Sequence, residues 1–420
     1  MFNDITIAAL KIQQDTEMKL LQVDTLAFAF MRCRRRNRPR IILLWSLMAA
    51  SQSGFAVTIA LPANIELNSM ATVEVQYDDN VFLAAENEQD DWVTRTIPAL
   101  DISREGTATS FSGSFSLANS HYRDSSRQSF NDYVGNFDWR WRAANFLEVQ
   151  TSVNYTDLAQ TISGNPDGGL DPILIEGQRT RRPSADVTFI LGRQGSSAQG
   201  VIRHAKQKNA FEEPARDFAT ARSSIDMNYS PSNRVMLGVQ LANTEFDYVD
   251  LGVVPDRDSR EILVLGTAEY RLAKTRLGLR AGRLNKDFRL NERQDFAGPR
   301  WDVTASWSPK TYSTLSITTG RTVQESPGTA DFVDVESSVF SWSHQWTGTL
   351  DSTLSYSRTV GEFVGEASTS NVLRSNLMIR YQPADWLRLY MGFSRLENQI
   401  STTASGIENS RYMLGVEAPL

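Results

Sequence analysis

The 420-residue chain contains one cysteine, Cys33, and three histidines, His121, His204 and His344. Those counts exclude a disulfide scaffold and zinc sites built from clustered Cys and His. A basic excess is missing as well: 49 acidic against 43 basic side chains give a net charge of −6. That balance points away from nucleic acid as a partner. After residue 60 no apolar run is long enough for a spanning helix, so a membrane crossing there has to use strands. A helical hydrophobic period is also lacking from Met70 onward.

The N-terminal region is built differently. "RCRRRNRPR" (32–40) carries six arginines, "IILLWSLMAA" (41–50) is a short apolar run, and "SGFA" places Gly54 and Ala56 at −3 and −1 of a cleavage site. This is the layout of a secretory signal. It predicts an N-terminal extension and signal peptide over 1–56, with Met1 and Met31 both available as starts. Cleavage after Ala56 removes Cys33 together with eight basic and four acidic side chains. The remainder then has 35 basic against 45 acidic residues, a net charge of −10.

Downstream, apolar and polar residues alternate at period two. "VMLGVQLAN" sets Val235, Leu237, Val239 and Leu241 against Met236, Gly238, Gln240 and Ala242. "DYVGNFDWRW", "RLGLRAG", "WDVTASW", "LRSNLMIRY" and "WLRLYMGFS" repeat the pattern, as half-buried strands do. Short turns such as "REGT", "RAAN", "SPKT" and "QPAD" alternate with longer polar connections. Outer-membrane barrels have that asymmetry, with short periplasmic turns and longer external loops. A soluble sandwich or propeller fits less well, because Arg, Asp, Asn and Gly recur on the polar faces and no blade-length repeat is visible. The fold expected is all-β: a single transmembrane up-and-down antiparallel β-barrel of about eighteen strands, with sixteen as the alternative count. A short periplasmic lead-in is expected over 57–69 and the barrel over 70–420. Outer-membrane lipid and the barrel assembly machinery follow as partners.

The chain ends "RYMLGVEAPL", with Tyr412, Leu414, Val416 and Leu420 on one face. A last strand that must pair with the first has no room for a polar tail, and such endings serve as C-terminal assembly signals. If Leu, Val and Phe face lipid, then Arg140, Arg276, Arg280, Arg374, Arg380 and Arg388 face the lumen. Arginine on a lipid face would cost a few kcal/mol near the midplane, which favours this assignment. Paired with acids such as Asp138 and Glu269 these arginines would form ladders; unpaired, they would attract anions. The long connection around 156–180 is sized to fold inward.

Sharper chemistry finds little support. The acidic run "YDDNVFLAAENEQDDW" lacks the ligand spacing of a calcium loop and reads as a solvated external loop. Ser341, Ser343 and His344 are close in sequence, but strand neighbours alternate faces, so no catalytic pair is expected. No metal or cofactor is implied. Trp139, Trp141, Trp301, Trp307, Tyr381 and Trp386 read as interfacial girdles.

"VEVQYDDNVF", with Tyr77, Asp78 and Asn80, is followed by an acidic loop and by the Pro-containing "TIPALDIS". Together with the C-terminal strand, these stretches resemble the outer-membrane β-barrel porin type 2 family, which includes EpsL-like proteins of exopolysaccharide operons. The resemblance implies a role in polysaccharide biosynthesis or export across the outer membrane, with polysaccharide and export components as partners. A general or solute-specific diffusion porin is the alternative.

Overall fold

The computed structural model describes residues 59–61, 64–125, 129–159, 179–193, 195–212, 214–249, 256–326, 330–401 and 406–419. The expected signal peptide with Cys33, most of the 156–180 connection and Leu420 lie outside the described residues. The described chain is almost entirely strand, and none of its helices is long and apolar enough to cross a membrane.

Among the described residues there are nineteen strands: β1 (Ile59–Leu61), β2 (Ile65–Asp78), β3 (Asp91–Arg104), β4 (Thr109–Tyr122), β5 (Phe130–Ala144), β6 (Leu147–Ala159), β7 (Arg179–Leu191), β8 (Ala198–Phe211), β9 (Phe218–Ser232), β10 (Val235–Tyr248), β11 (Ser259–Arg271), β12 (Thr275–Phe288), β13 (Phe296–Lys310), β14 (Ser313–Glu325), β15 (Phe332–Gln345), β16 (Leu350–Val364), β17 (Ser368–Ala384), β18 (Leu387–Ile400) and β19 (Ile407–Pro419). Each of β2 to β18 pairs antiparallel with the next, and β19 pairs with β2 from Arg411↔Asp78 to Pro419↔Met70. The result is a closed barrel of eighteen strands. Closure pairs every strand edge, which a chain in lipid requires.

β2 begins five residues before the expected position 70 and extends beyond the end of β19. There β1 takes over as its neighbour, with Ile59↔Leu67 to Leu61↔Ile65, so the overhang is not left bare. Pro98 lies within β3 (Asp91–Arg104), and the β3–β4 ladder lapses between Thr96↔Asn119 and Ala99↔Ser116. A residue without an N–H cannot hold a rung.

Connections of at most six residues gather at the end where the chain enters and leaves, and connections of six or more at the other, with one exception. β16 (Leu350–Val364) reaches β17 (Ser368–Ala384) at the long-loop end in three residues. Gly365 makes this turn with φ of +90°, a conformation that side-chain-bearing residues rarely adopt.

The period-two pattern sorts side chains as the sequence suggests. Leu237, Val239 and Leu241 of β10 (Val235–Tyr248) are exposed on one face, while Ala242 and Thr244 are buried on the other. Leu277, Leu279, Ile317, Leu377 and Met391 continue the exposed apolar face around the barrel. Exposed Leu, Val and Ile on the convex face of a closed barrel are the surface that lipid covers. The fold and its surface are those of an outer-membrane protein.

Candidate functional site

The concave face carries the charge. Cross-strand register places Arg140 opposite Ser110, Arg276 opposite Ser306, Arg280 opposite Asp302, Arg374 opposite Ser357, Arg380 opposite Asp351 and Arg388 opposite Glu417. Each of the six therefore stands on the face opposite the exposed Leu and Val rows.

Most are paired. Arg276 lies 3.2 Å from Glu269, Arg280 2.9 Å from Asp302, Arg380 3.2 Å from Asp351 and Arg388 2.9 Å from Glu417. Arg140 reaches Glu105 of the β3–β4 turn at 3.6 Å. Asp138, expected as an arginine partner, instead accepts from the Ser152 hydroxyl. Arg374 is buried among its own partners. Ladders describe these six better than free cations do.

Arg280 also belongs to a second arginine group, which opens onto solvent-accessible space. A cavity of about 120 Å³ in the wall is lined by Arg222, Arg280 and Arg300, with Gln240, Thr244 and Thr322 beside them. Asp302 serves two of these guanidinium groups, at 2.9 Å from Arg280 and 3.5 Å from Arg300. Glu261, also on the lining, is held by Lys286 at 3.2 Å. Arg222 and Arg300 were not singled out in the sequence, because neither stands in a stretch of unbroken alternation there.

Around the ring the charges separate. On β2–β6 the inward rows hold Glu74, Asp78, Asp101, Asp132, Asp138 and Glu148 against Arg95, Arg140 and Arg142. On β9–β13 they hold Arg222, Arg271, Arg276, Arg280, Lys286 and Arg300 against Asp226, Glu261, Glu269 and Asp302. An acidic wall thus stands across the lumen from a basic one.

The same lining is partly apolar, through Leu263, Leu265 and Leu284. Leu263, Leu265, Leu284 and Ala242 form a buried cluster with Phe296 and Val323 packed against it. Lys286 is fully buried there, 4.0 Å above the Phe246 ring and bonded to Glu261 and Glu325, while Tyr248 donates to Glu325 at 2.5 Å.

The first long connection, residues 79–90, departs from the expected solvated loop. Glu86, Glu88 and Asp90 are exposed, but Leu83 packs on Val372, Leu396 and Ile407 of the inner wall. Asn80 is fully buried; its side chain donates to the Ala84 and Glu408 carbonyls and accepts from the Ala84 N–H. Asp78 accepts from Asn409 and the Asn80 N–H and lies 2.7 Å from Arg411. The acidic run is therefore divided between structural tasks. Among the described residues no group of three or more His, Asp or Glu is arranged to hold a metal ion.

Two further expectations can be placed. His344 joins an aromatic cluster with Tyr312, Trp342 and Trp346, its ring 4.2 Å from that of Trp346, while Ser341 and Ser343 alternate to the opposite face. These three residues form no nucleophile–base pair. At the C-terminus Tyr412 and Leu414 are exposed on the convex face, and Val416 follows in register with Val73.

No family model matches the chain, and no curated protein does. Among solved structures, the Pseudomonas aeruginosa porin OccK2 (OpdF) aligns with a TM-score of 0.49 and 11% identity, over 84% of this chain and 98% of that one. A BenF-like porin from Pseudomonas fluorescens Pf-5 gives 0.49 and 12%, over 84% and 99%. OpdK of Pseudomonas aeruginosa, solved with vanillate, gives 0.48 and 11%, over 84% and 98%.

Proposed function

We propose that the protein is a diffusion channel for small polar solutes, with preference for those bearing a carboxylate or similar anionic group. Eighteen tilted strands about 4.8 Å apart enclose a backbone tube roughly 35 Å across, a size at which barrels leave an aqueous lumen. The supporting observation is the open group of Arg222, Arg280 and Arg300 facing an acidic wall. Rings of fixed charge at close quarters set which ions pass. Gln240, Thr244 and Thr322 supply hydrogen-bonding groups on the same lining for a solute's hydroxyls.

The polysaccharide-export reading rests on the resemblance carried by the stretch with Tyr77, Asp78 and Asn80, the acidic loop after it, "TIPALDIS" and the C-terminal strand. In the fold these stretches close the barrel and tie down its first loop, whereas the arginine-lined cavity offers contacts for a small anion, so the solute channel is the better-supported reading.

Purified protein in planar bilayers should conduct, with reversal potentials that favour anions. Replacing Arg222, Arg280 and Arg300 together by Gln should lower that preference. A closed barrel without conductance, together with loss of surface polysaccharide on gene deletion, would overturn the channel in favour of export.

A further inference from the structure

The convex face shows a second regularity. The strands that rise from the short-turn end include β8 (Ala198–Phe211), β12 (Thr275–Phe288), β14 (Ser313–Glu325), β16 and β18. The ninth residue of each is basic: Lys206, Arg283, Arg321, Arg358 and Arg395. β10 has Asn243 at that place, and Arg260 of β11 (Ser259–Arg271) reaches it at 2.5 Å.

All of these residues point outward. Lys206 is in register with Ala185 and Ala221, two rows above Ile202, which is exposed. Arg283 opposes the exposed Val264, Arg358 follows the exposed Tyr356, and Arg395 lies two rows above the exposed Met391. A cationic belt therefore runs around this part of the barrel, directly above the apolar rows and toward the long-loop end.

The charge of the belt is only partly cancelled. Arg321 is bonded to Asp334, and Arg395 to Glu397 and Glu408. Arg283 and Arg358 instead donate to the neutral amides of Asn285 and Asn371, which leave their charge in place. Glu245, Asp287 and Glu362 stand one or two rows nearer the mouth. Evenly spaced guanidinium and ammonium groups at the edge of the hydrocarbon suit phosphate, which arginine binds with its planar fork and lysine as a point charge.

We propose that this belt binds the phosphate groups of the glycolipid in the outer leaflet, with Lys206, Arg283 and Arg358 as the principal contacts. The inference goes beyond the channel reading and stands or falls separately from it. Phosphate at this height would neutralise the uncancelled cations and fix the barrel's depth in the membrane.

The test uses the full barrel in detergent and follows the temperature at which its compact gel form converts to the unfolded one. Bisphosphorylated lipid A should raise that temperature, and lipid A stripped of phosphate should not. The K206Q/R283Q/R358Q variant should fold and lose the difference. The single variant K206Q, at an exposed position, should show a partial loss if the triple variant does not fold. Native mass spectrometry should find phosphorylated lipid retained on the parent and depleted on the variant. Equal stabilisation by the dephosphorylated lipid, an unaltered response in the variants, or the same shift from inorganic phosphate alone would overturn the proposal.

Discussion

Two inward residues show how much the barrel invests at single positions. Lys286 is fully buried between Glu261 and Glu325 with an aromatic ring beneath it. Replacing it by Met keeps the volume but leaves two desolvated carboxylates facing each other. Lys286→Met should therefore cost about 3–5 kcal/mol, measurable as a lower unfolding temperature in detergent. At Gly415 the constraint is steric: a Cβ there would lie 2.1 Å from the ring of Tyr390. Tyr390 uses that space to cross β19 and donate to Glu74 of β2 at 2.8 Å. Gly415→Val should displace the ring and lower stability by about 1–3 kcal/mol, while Tyr390→Phe, which keeps the packing, should cost less.

Elements obey the two-faced rule that period two imposes. Charge at Leu237 or Leu279, both exposed on the convex face, should impair assembly strongly, since it costs about 2–4 kcal/mol near the midplane. The same change at Gln240 or Asn376, on the concave face, should be tolerated. Quantifying heat-modifiable protein in the outer membrane decides the matter, and equal tolerance would mean that the faces are reversed. This rule is also why the strands and the inward side of Arg140, Arg276 and Arg380 were legible: alternation is local and survives without tertiary information. Pairing was less so. Glu269 could be named as an arginine partner because it and Arg276 flank one short turn, whereas Asp138 and Ser152 meet farther up their hairpin, where a register shift between Arg142 and Ala144 decides the partner. The convergence of Arg222 of β9 with Arg280 and Arg300 of the β12–β13 hairpin reaches across two intervening strands and was not legible. The same holds for loop 79–90, whose acidic tip hides the buried Asn80 and Leu83.

At the scale of the whole molecule, a barrel made from one chain has a single join between its first and last strands. All other neighbours are covalently linked hairpins, so loop-closure entropy falls most heavily on this contact. The chain concentrates buried polar bonds there: Asp78 with Arg411 and Asn409, Asn80 with the Glu408 carbonyl, and Tyr390 with Glu74 across the intervening strand. The Tyr-Asp-x-Asn stretch, met first as a short motif near the start of the barrel, belongs to this join. Tyr77 faces outward against Trp92 and Tyr412, while Asp78 faces inward. Asp78→Ala removes the carboxylate that pairs with Arg411 and accepts from Asn409. The expected outcome is local: hydrogen–deuterium exchange should rise in β19 and the upper half of β2, with little change in β12–β16. Asn80→Ala should spare the β19–β2 ladder more than Asp78→Ala does, yet free loop 79–90 from the wall, increasing exchange at residues 79–90 and altering conductance. Uniform exchange around the barrel after Asp78→Ala would mean that the join is no weaker than any hairpin, and that these polar bonds serve some purpose other than closure.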